Sequence, residues 1–217
     1  MMQSDAEHTG EATSRRTQIL DAAVVLFSRT GYHTATMEDI AEAVGIAKPT
    51  LYHYYKSKSD ILADIHESFV RRVIAKHRSR AALVSSPRLQ LLGMMQDIFE
   101  FLEGNASHVR VFYEQQAELA PAKRELIHDL RVEYTRAMED VIEAGIDAGE
   151  IRKLDPVLVS RAIFGMCNWS YQWYRSSEFG SGADVAAFMW ELIFGGIQGG
   201  AAPSGAAVNA KPRKRAR

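Results

Sequence analysis

Leu126, Leu130, Tyr134, Met138, Ile142 and Ile146 stand four residues apart without a break. Apolar residues at i+4 line one face of a helix, whereas a half-buried strand needs a period of two. The same helical period recurs along the chain. Leu20, Ala23, Val24 and Phe27 mark a face of a first helix at residues 15–30, which Gly31 stops. Ile61, Ile65, Phe69 and Val73 mark a long helix capped by Ser57. After a break at Ser85, Ser86 and Pro87, helices are expected near 87–104 and 106–118, the second ending before Pro121. Gly149 closes the helix of the i+4 stripe. Asp155-Pro156 opens another, at about 156–176, with Ala162, Met166, Trp169 and Trp173 on one face. "SSEFGSG" reads as a loop before a last helix at 183–198. No segment alternates long enough for a strand, so the expected fold is all-α. Residues 1–14 are expected as a disordered arm, and 199–217, rich in Gly, Ala, Pro and bases, as a disordered basic tail.

The net charge of −1 hides an asymmetry. Residues 15–80 hold 11 bases and 7 acids, a net +4, while residues 81–210 hold 10 and 17, a net −7. A cationic unit followed by an anionic body suggests two tasks in one chain, the first facing a polyanion. The single cysteine, Cys167, excludes an intrachain disulfide and suits a reducing cytoplasm. The N-terminus lacks the apolar core of a secretory signal, and no run approaches the roughly 18 apolar residues of a membrane span. A cytoplasmic protein without membrane contact is expected. His66, His108 and His128 have carboxylates nearby (Glu67, Glu114, Asp129) but no HExxH spacing. A Gly-rich phosphate loop and a nucleophile elbow are also missing from the sequence. The chain does not read as an enzyme, and neither cofactor nor metal is implied.

Two short helices, 37–44 and 48–55, flank a tight turn at Gly45, the spacing of a helix-turn-helix. Thr36 precedes the first, with Asp39 three residues on, a capping box with Asp in place of Glu. Ile40, Ala41, Val44, Ile46 and Leu51 supply the inner face. The second helix has the dimensions to enter a DNA major groove, roughly 12 Å wide. Lys48, Pro49 and Thr50 in its first turn are placed to reach base edges. Tyr52, His53, Lys58 and Thr36 are placed to meet phosphates, which position a protein but do not specify sequence. Tyr55 reads as core.

"TATMEDIAEAVGIAKPTLYHYYKSKSDIL", preceded by "ILDAAVVLFSRTGYHTATM", resembles the DNA-binding segment of the TetR/AcrR transcriptional regulators over residues 16–65. The resemblance rests on Phe27, Gly31, Thr36, Ile40, Ala41, Gly45, Leu51, Tyr52, Tyr55, Lys58 and Leu62. It implies an all-helical homodimer, with a helix-turn-helix head at 15–60 and a ligand-binding and dimerisation body at 61–198. It further implies that ligand loosens the grip on a palindromic double-stranded operator. Ala47 departs from the pattern, since the family often has a capping serine there. The last two helices of each subunit would form the dimer interface, here through Phe188, Met189, Leu192, Ile193 and Gly196.

The candidate ligand residues are the apolar and aromatic side chains at helical spacing in the body: Met95, Phe99, Phe112, Tyr113, Tyr134, Met138, Trp169 and Trp173, with Arg175 as an anion partner. Each has a plainer reading as ordinary core. "NWSYQWYR", Asn168 to Arg175, resembles a segment of TetR-family regulators of fatty-acid and steroid catabolism. That resemblance implies a repressor released by an acyl-CoA or related lipid catabolite, with Arg161, Arg175 or Arg110 for a CoA phosphate. Two alternatives stand beside it. One is a multidrug-efflux repressor using Glu114 and Glu118 in a wide pocket; the other is a regulator controlled by a protein partner, with a body packed solid.

Overall fold

The computed structural model describes the backbone of residues 2–197 and the side chains of residues 14–195. The tail at 199–217 lies outside the described residues. Among the described residues the regular structure is helical, with no strand.

Helix α1 spans Met2–Thr30, so it begins well before residue 15 and takes in the arm expected to be disordered. The expectation followed apolar periodicity, read from Leu20 onward. Gln3, Ala6, Glu7, Glu11 and Ala12 are good helix formers, and early acids suit the positive end of the dipole. Helix α2 spans Met37–Val44 and α3 Lys48–Tyr54. Thr36 and Asp39 form the capping box: Asp39 N–H donates to Thr36 Oγ1 at 3.2 Å, and Thr36 N–H to Asp39 Oδ2 at 2.9 Å. Gly45 closes α2 in the left-handed region, φ +71°, its N–H turned back onto the carbonyls of Ala41 and Glu42. Helix α3 has no side-chain cap at Ala47, and Pro49 occupies its first turn. Ile19, Ala23, Phe27, Ile40 and Leu51 bury completely or nearly so between the three helices.

Helix α4, Lys58–Ala81, touches α1 at one end and packs on α5 and α6 along its length. A division of the chain at residues 60 and 61 therefore falls inside one continuous helix. Helix α5, Pro87–Glu114, covers both helices expected at 87–104 and 106–118. It is broken at Asn105 (φ −143°, ψ 39°), and a single 3-10 turn, Gln116–Glu118, follows. Helix α6 spans Pro121–Asp147. Its stripe drifts as 3.6 residues per turn requires: Leu130, Tyr134, Met138 and Ile142 are buried, whereas Leu126 is exposed. Helix α7 spans Pro156–Trp169 and ends sooner than expected, passing into a 3-10 turn at Ser170–Gln172. "SSEF" forms a short α8, Ser176–Phe179, where a loop was expected. Helix α9, Gly182–Ile197, lies along α5, so close that a Cβ on Gly182 would come 2.8 Å from the Phe99 carbonyl oxygen.

The inward face of α7 differs from the expected one. Val159, Ser160, Ile163 and Cys167 are buried, while Ala162 and Trp169 are exposed. Both faces of α7 are apolar, and periodicity does not say which one meets the chain's own core. Inside the body, Asp97 is buried and takes Arg80 Nη2 at 2.5 Å and Lys76 Nζ at 3.3 Å, joining α4 to α5.

Gly45→Ala is expected to cost about 1–2 kcal/mol of stability, because an L side chain at this φ meets the carbonyl that follows. Urea unfolding of the full chain measures it, and no loss would show that the turn relaxes.

Candidate nucleic-acid interface and internal cavity

On α3, Leu51 is fully buried and Tyr55, just beyond it, is 3% exposed, so this short helix is anchored by one edge. Lys48, Pro49, Tyr52 and His53 are exposed and Thr50 is half-buried, giving one continuous outer surface. Lys48 pairs with Glu38 of α2, which raises the lysine pKa and holds the Glu38 carboxyl low. Both partners are more than half exposed, so the pair is weak and a phosphate can displace Glu38. Thr36 is exposed, but its hydroxyl is engaged in the capping box, where it helps hold the Asp39 carboxyl low. The Tyr55 hydroxyl donates to Asp64, and burial with that carboxylate beside it pushes the phenol well up.

Lys58 departs from the role expected of it. Its ammonium donates to the carbonyls of Tyr32 (2.5 Å), His33 (3.2 Å) and Ala35 (2.7 Å), and lies 4.5 Å from the Tyr32 ring centroid. An ammonium has three protons, and three carbonyls take them. Lys58 thus ties the α1–α2 connection to the start of α4 instead of standing free for a phosphate. The sequence displays a lysine at a helix N-terminus and cannot display the carbonyls folded over it.

The body holds a cavity of about 340 Å³, within the usual range for small-molecule sites. Phe69, Val70 and Val73 of α4 line it with Ile98, Phe112 and Tyr113 of α5. Arg131, Tyr134 and Thr135 come from α6, and Arg161, Phe164, Gly165 and Asn168 from α7. Arg161 and Gly165 are exposed while Val70, Phe112 and Tyr134 are buried, so α7 forms the mouth and α4, α5 and α6 the floor. The Tyr134 hydroxyl is buried with no partner. Tyr113, whose phenol burial pushes well up, stacks on Tyr171 at 5.2 Å.

Of the candidate ligand residues, Phe112, Tyr113 and Tyr134 meet at this cavity. Met95, Phe99 and Met138 do not, being completely buried in packed core. Trp169 is 63% exposed, and Trp173 packs on Tyr174 and Phe179. Arg175 is exposed and folds back onto the Tyr174 carbonyl. Trp169 falls away because it lies on the outer face of α7, and Trp173 and Arg175 because α7 stops at Trp169, so "NWSYQWYR" is not one helical face. The unforeseen polar lining had a signal: Arg161, Gly165 and Asn168 recur at i, i+4 and i+7 in an otherwise apolar helix, and Arg131 lies one turn before Tyr134.

Of the residues expected at a dimer interface, Phe188 is 66% and Leu192 63% exposed, so neither belongs to the chain's own core. Met189 and Ile193 are half-buried. Gly196 lies in α9 but outside the residues whose surroundings are described. Leu158 and Trp169 of α7 are exposed as well.

Residues 19–65 match the family described as bacterial regulatory proteins, tetR family, and residues 84–197 match the tetracyclin repressor-like C-terminal domain. The chain belongs to the TetR family. This TetR-family regulator is 28% identical over 190 residues to the HTH-type transcriptional repressor KstR2 of Mycobacterium tuberculosis, covering 87% of this chain and 95% of that one. It is 30% identical over 185 residues to the fatty acid metabolism regulator protein of Bacillus subtilis, covering 83% and 94%. The structure of the ketosteroid transcriptional regulator KstR2 of Mycobacterium tuberculosis superposes with a TM-score of 0.77 at 27% identity, covering 85% of this chain and 95% of that one.

Beneath the cavity floor, His66 of α4 is completely buried, 4.9 Å from Phe112, with neither ring nitrogen partnered. Burial, with Arg131 nearby adding to it, lowers its pKa to about 4. The unfolded chain then binds the proton that the folded chain refuses. Stability is full above the ordinary histidine value of about 6.5 and falls as pH drops towards 4, by up to about 1.4 kcal/mol per pH unit from this one group. His66→Leu is expected to flatten the fall of Tm between pH 6.5 and 4.5. His77 and His108, whose values burial also lowers, keep part of the slope. An unchanged slope would exclude His66 as its source.

Proposed function

We propose that this TetR-family regulator is a homodimeric repressor, released from its operator by a small effector of the acyl-CoA or related lipid-catabolite class. The observation that carries it is the presence, in one helical chain, of a presented α3 and an aromatic-walled cavity. In the dimer each α3 reads one half-site of a palindrome, the halves about 34–36 Å apart or a multiple of it. Lys48, Pro49 and Thr50 face the bases, and Tyr52 and His53 the phosphates. Thr36 contributes through the cap it forms, and Lys58 by holding the head in shape. The exposed apolar residues Leu158, Trp169, Phe188 and Leu192 of α7 and α9 form the dimer interface, where a patch of that kind is at home. The effector class is supported by the relatives, whose names place them in ketosteroid and fatty-acid regulation.

The cavity lining favours this reading over both alternatives. A cationic drug needs carboxylates inside, and the lining holds Arg131 and Arg161 but no acid. Glu114 is exposed and Glu118 pairs with His33 at 3.1 Å. A regulator answering only to a protein partner needs no cavity.

Against a duplex selected from a random pool, Tyr52→Ala and His53→Ala are each expected to weaken binding about tenfold in a gel shift, with the dimer intact by ultracentrifugation. Leu192→Glu is expected to yield monomers and abolish tight binding. Undiminished binding by both α3 variants would refute the placement of α3, and a monomeric wild type would refute the dimer.

A further inference from the structure

The cavity's two arginines have no carboxylate partner among the described residues, as is true of several other cations of the body, whereas three cations of α4 are paired with acids of other helices. Arg78 pairs with Glu133, Arg80 with Asp97, and Lys76 with Asp97 and Glu100. Among the described residues neither Arg131 nor Arg161 has a carboxylate partner, although the body between residues 81 and 210 carries 17 acids. Arg131 is half-buried, and its Nη1 donates to a neutral oxygen, Oε1 of Gln116, at 2.5 Å. Its guanidinium lies 5.3 Å from the Phe112 ring centroid. Tyr134, one turn further along α6, is nine-tenths buried with its hydroxyl unpartnered. A withdrawn guanidinium without an anion is costly, and so is an idle buried hydroxyl. A single bound anion relieves both.

The segment that carries Gln116 is also joined to the head. The chain from the break at Asn105 to Glu118 has one side in the cavity, through Phe112 and Tyr113. Its other side holds the head at three points. His108 Nε2 lies 3.4 Å from Asp21 of α1. The Gln115 side-chain amide donates to the Phe27 carbonyl at 3.0 Å in a buried contact. Glu118 meets His33 in the connection to α2.

We propose that the effector is an amphipath whose apolar body fills the cavity and whose one anionic group binds Arg131, assisted by Tyr134 and Arg161, in competition with Gln116. The proposal rests on the effector-responsive reading above and gives it a chemistry. A carboxylate or phosphate engages a guanidinium through two parallel N–H bonds, stronger than one bond to an amide oxygen. Once Arg131 turns to the anion, Gln116 is released. The 115–118 turn then loses one of its ties to α6, keeping the bond from Arg124 to the Ala117 carbonyl, and its hold on Phe27 and His33 loosens. Arg131 is thus both the anchor of the effector and the start of the relay to α1. The anion is either a carboxylate inside the cavity or a phosphate of a CoA thioester at its mouth.

The test uses the full chain with decanoate, decanoyl-coenzyme A and the neutral decan-1-ol, read by tryptophan fluorescence and by retention of a selected DNA duplex. At least one anionic probe is expected to bind at least about tenfold more tightly than the alcohol. Arg131→Met and Arg161→Met are expected to remove that preference, and Arg131→Lys to restore part of it. Decanoate and decanoyl-coenzyme A separate the two sources of the anion. Gln116→Ala is expected to bind the anion as well as wild type or better, since its competitor is gone. Its duplex affinity without effector should already be lowered, and the anion should change it by less than about twofold. Equal binding of alcohol and anions, or undiminished anion binding by Arg131→Met, would overturn the anchor. A full anion response in Gln116→Ala would overturn the relay. Binding by none of the anions overturns the proposal, while duplex binding without effector judges the regulator reading on its own.

Discussion

The three bonds from the Lys58 ammonium to the carbonyls of Tyr32, His33 and Ala35 set the shape of the head. Between Gly31 and Thr36 the chain has left α1 and not yet entered α2, and its carbonyls have no helical partner. Left bare, the part-buried carbonyls of Tyr32 and Ala35 would each cost a desolvation penalty. One ammonium meets all three, and because Lys58 opens α4, the same bonds fix the start of that helix against the entry to α2. The capping box at Thr36 then sets the direction of α2, and Gly45 turns the chain into α3. The position of Tyr52 and His53 follows from contacts on the far side of the head.

Helix α4 and the segment after Asn105 carry that arrangement into the body. Helix α4 contributes Phe69, Val70 and Val73 to the cavity after beginning under the head. The break at Asn105 gives the second half of α5 a course of its own, so that Phe112 enters the cavity wall while Gln115 reaches Phe27. The Phe27 carbonyl accepts both from Gly31 N–H, the bond that ends α1, and from Gln115. A displacement of the 115–118 turn therefore acts where α1 gives way to the α2 connection. That is the point at which a small shift in the body has the longest lever on α3.

What the sequence discloses about this protein divides along a physical line. Helices α2 and α3 were legible almost to the residue because their ends are written in local chemistry: Thr36 with Asp39, Gly45, and Pro49 in a first turn. The break near residue 105 falls between the helices expected at 87–104 and 106–118. The start of α1 was not legible, because the helix runs on ahead of the first apolar repeat, where only propensity speaks for it. Phe112, Tyr113 and Tyr134 could be proposed as cavity residues, yet nothing separated them from Met95, Phe99 and Met138, equally apolar and equally periodic. Whether a buried aromatic borders a void depends on what the facing helix leaves unfilled. Lys58 shows the same limit for polar groups, since its partners are backbone carbonyls that no side-chain pattern reports.

Helix α7 gathers these strands. It is apolar on two faces, one more than a helix of a lone folded chain has reason to be. Its inner face buries Ile163 and Cys167, whose thiol burial pushes up to about 12 and so leaves inert. A second edge gives Arg161, Gly165 and Asn168 to the cavity mouth, and a third leaves Leu158 and Trp169 in solvent. In the proposed dimer that third edge meets the partner subunit. One rigid helix then borders the effector and the symmetry axis together, so an effector pressing on the mouth bears directly on the angle between subunits. The release of Gln116 acts within one subunit, on α1. The two effects reach the DNA by separate routes, one altering the head and the other the spacing between heads, and both begin at the same anion.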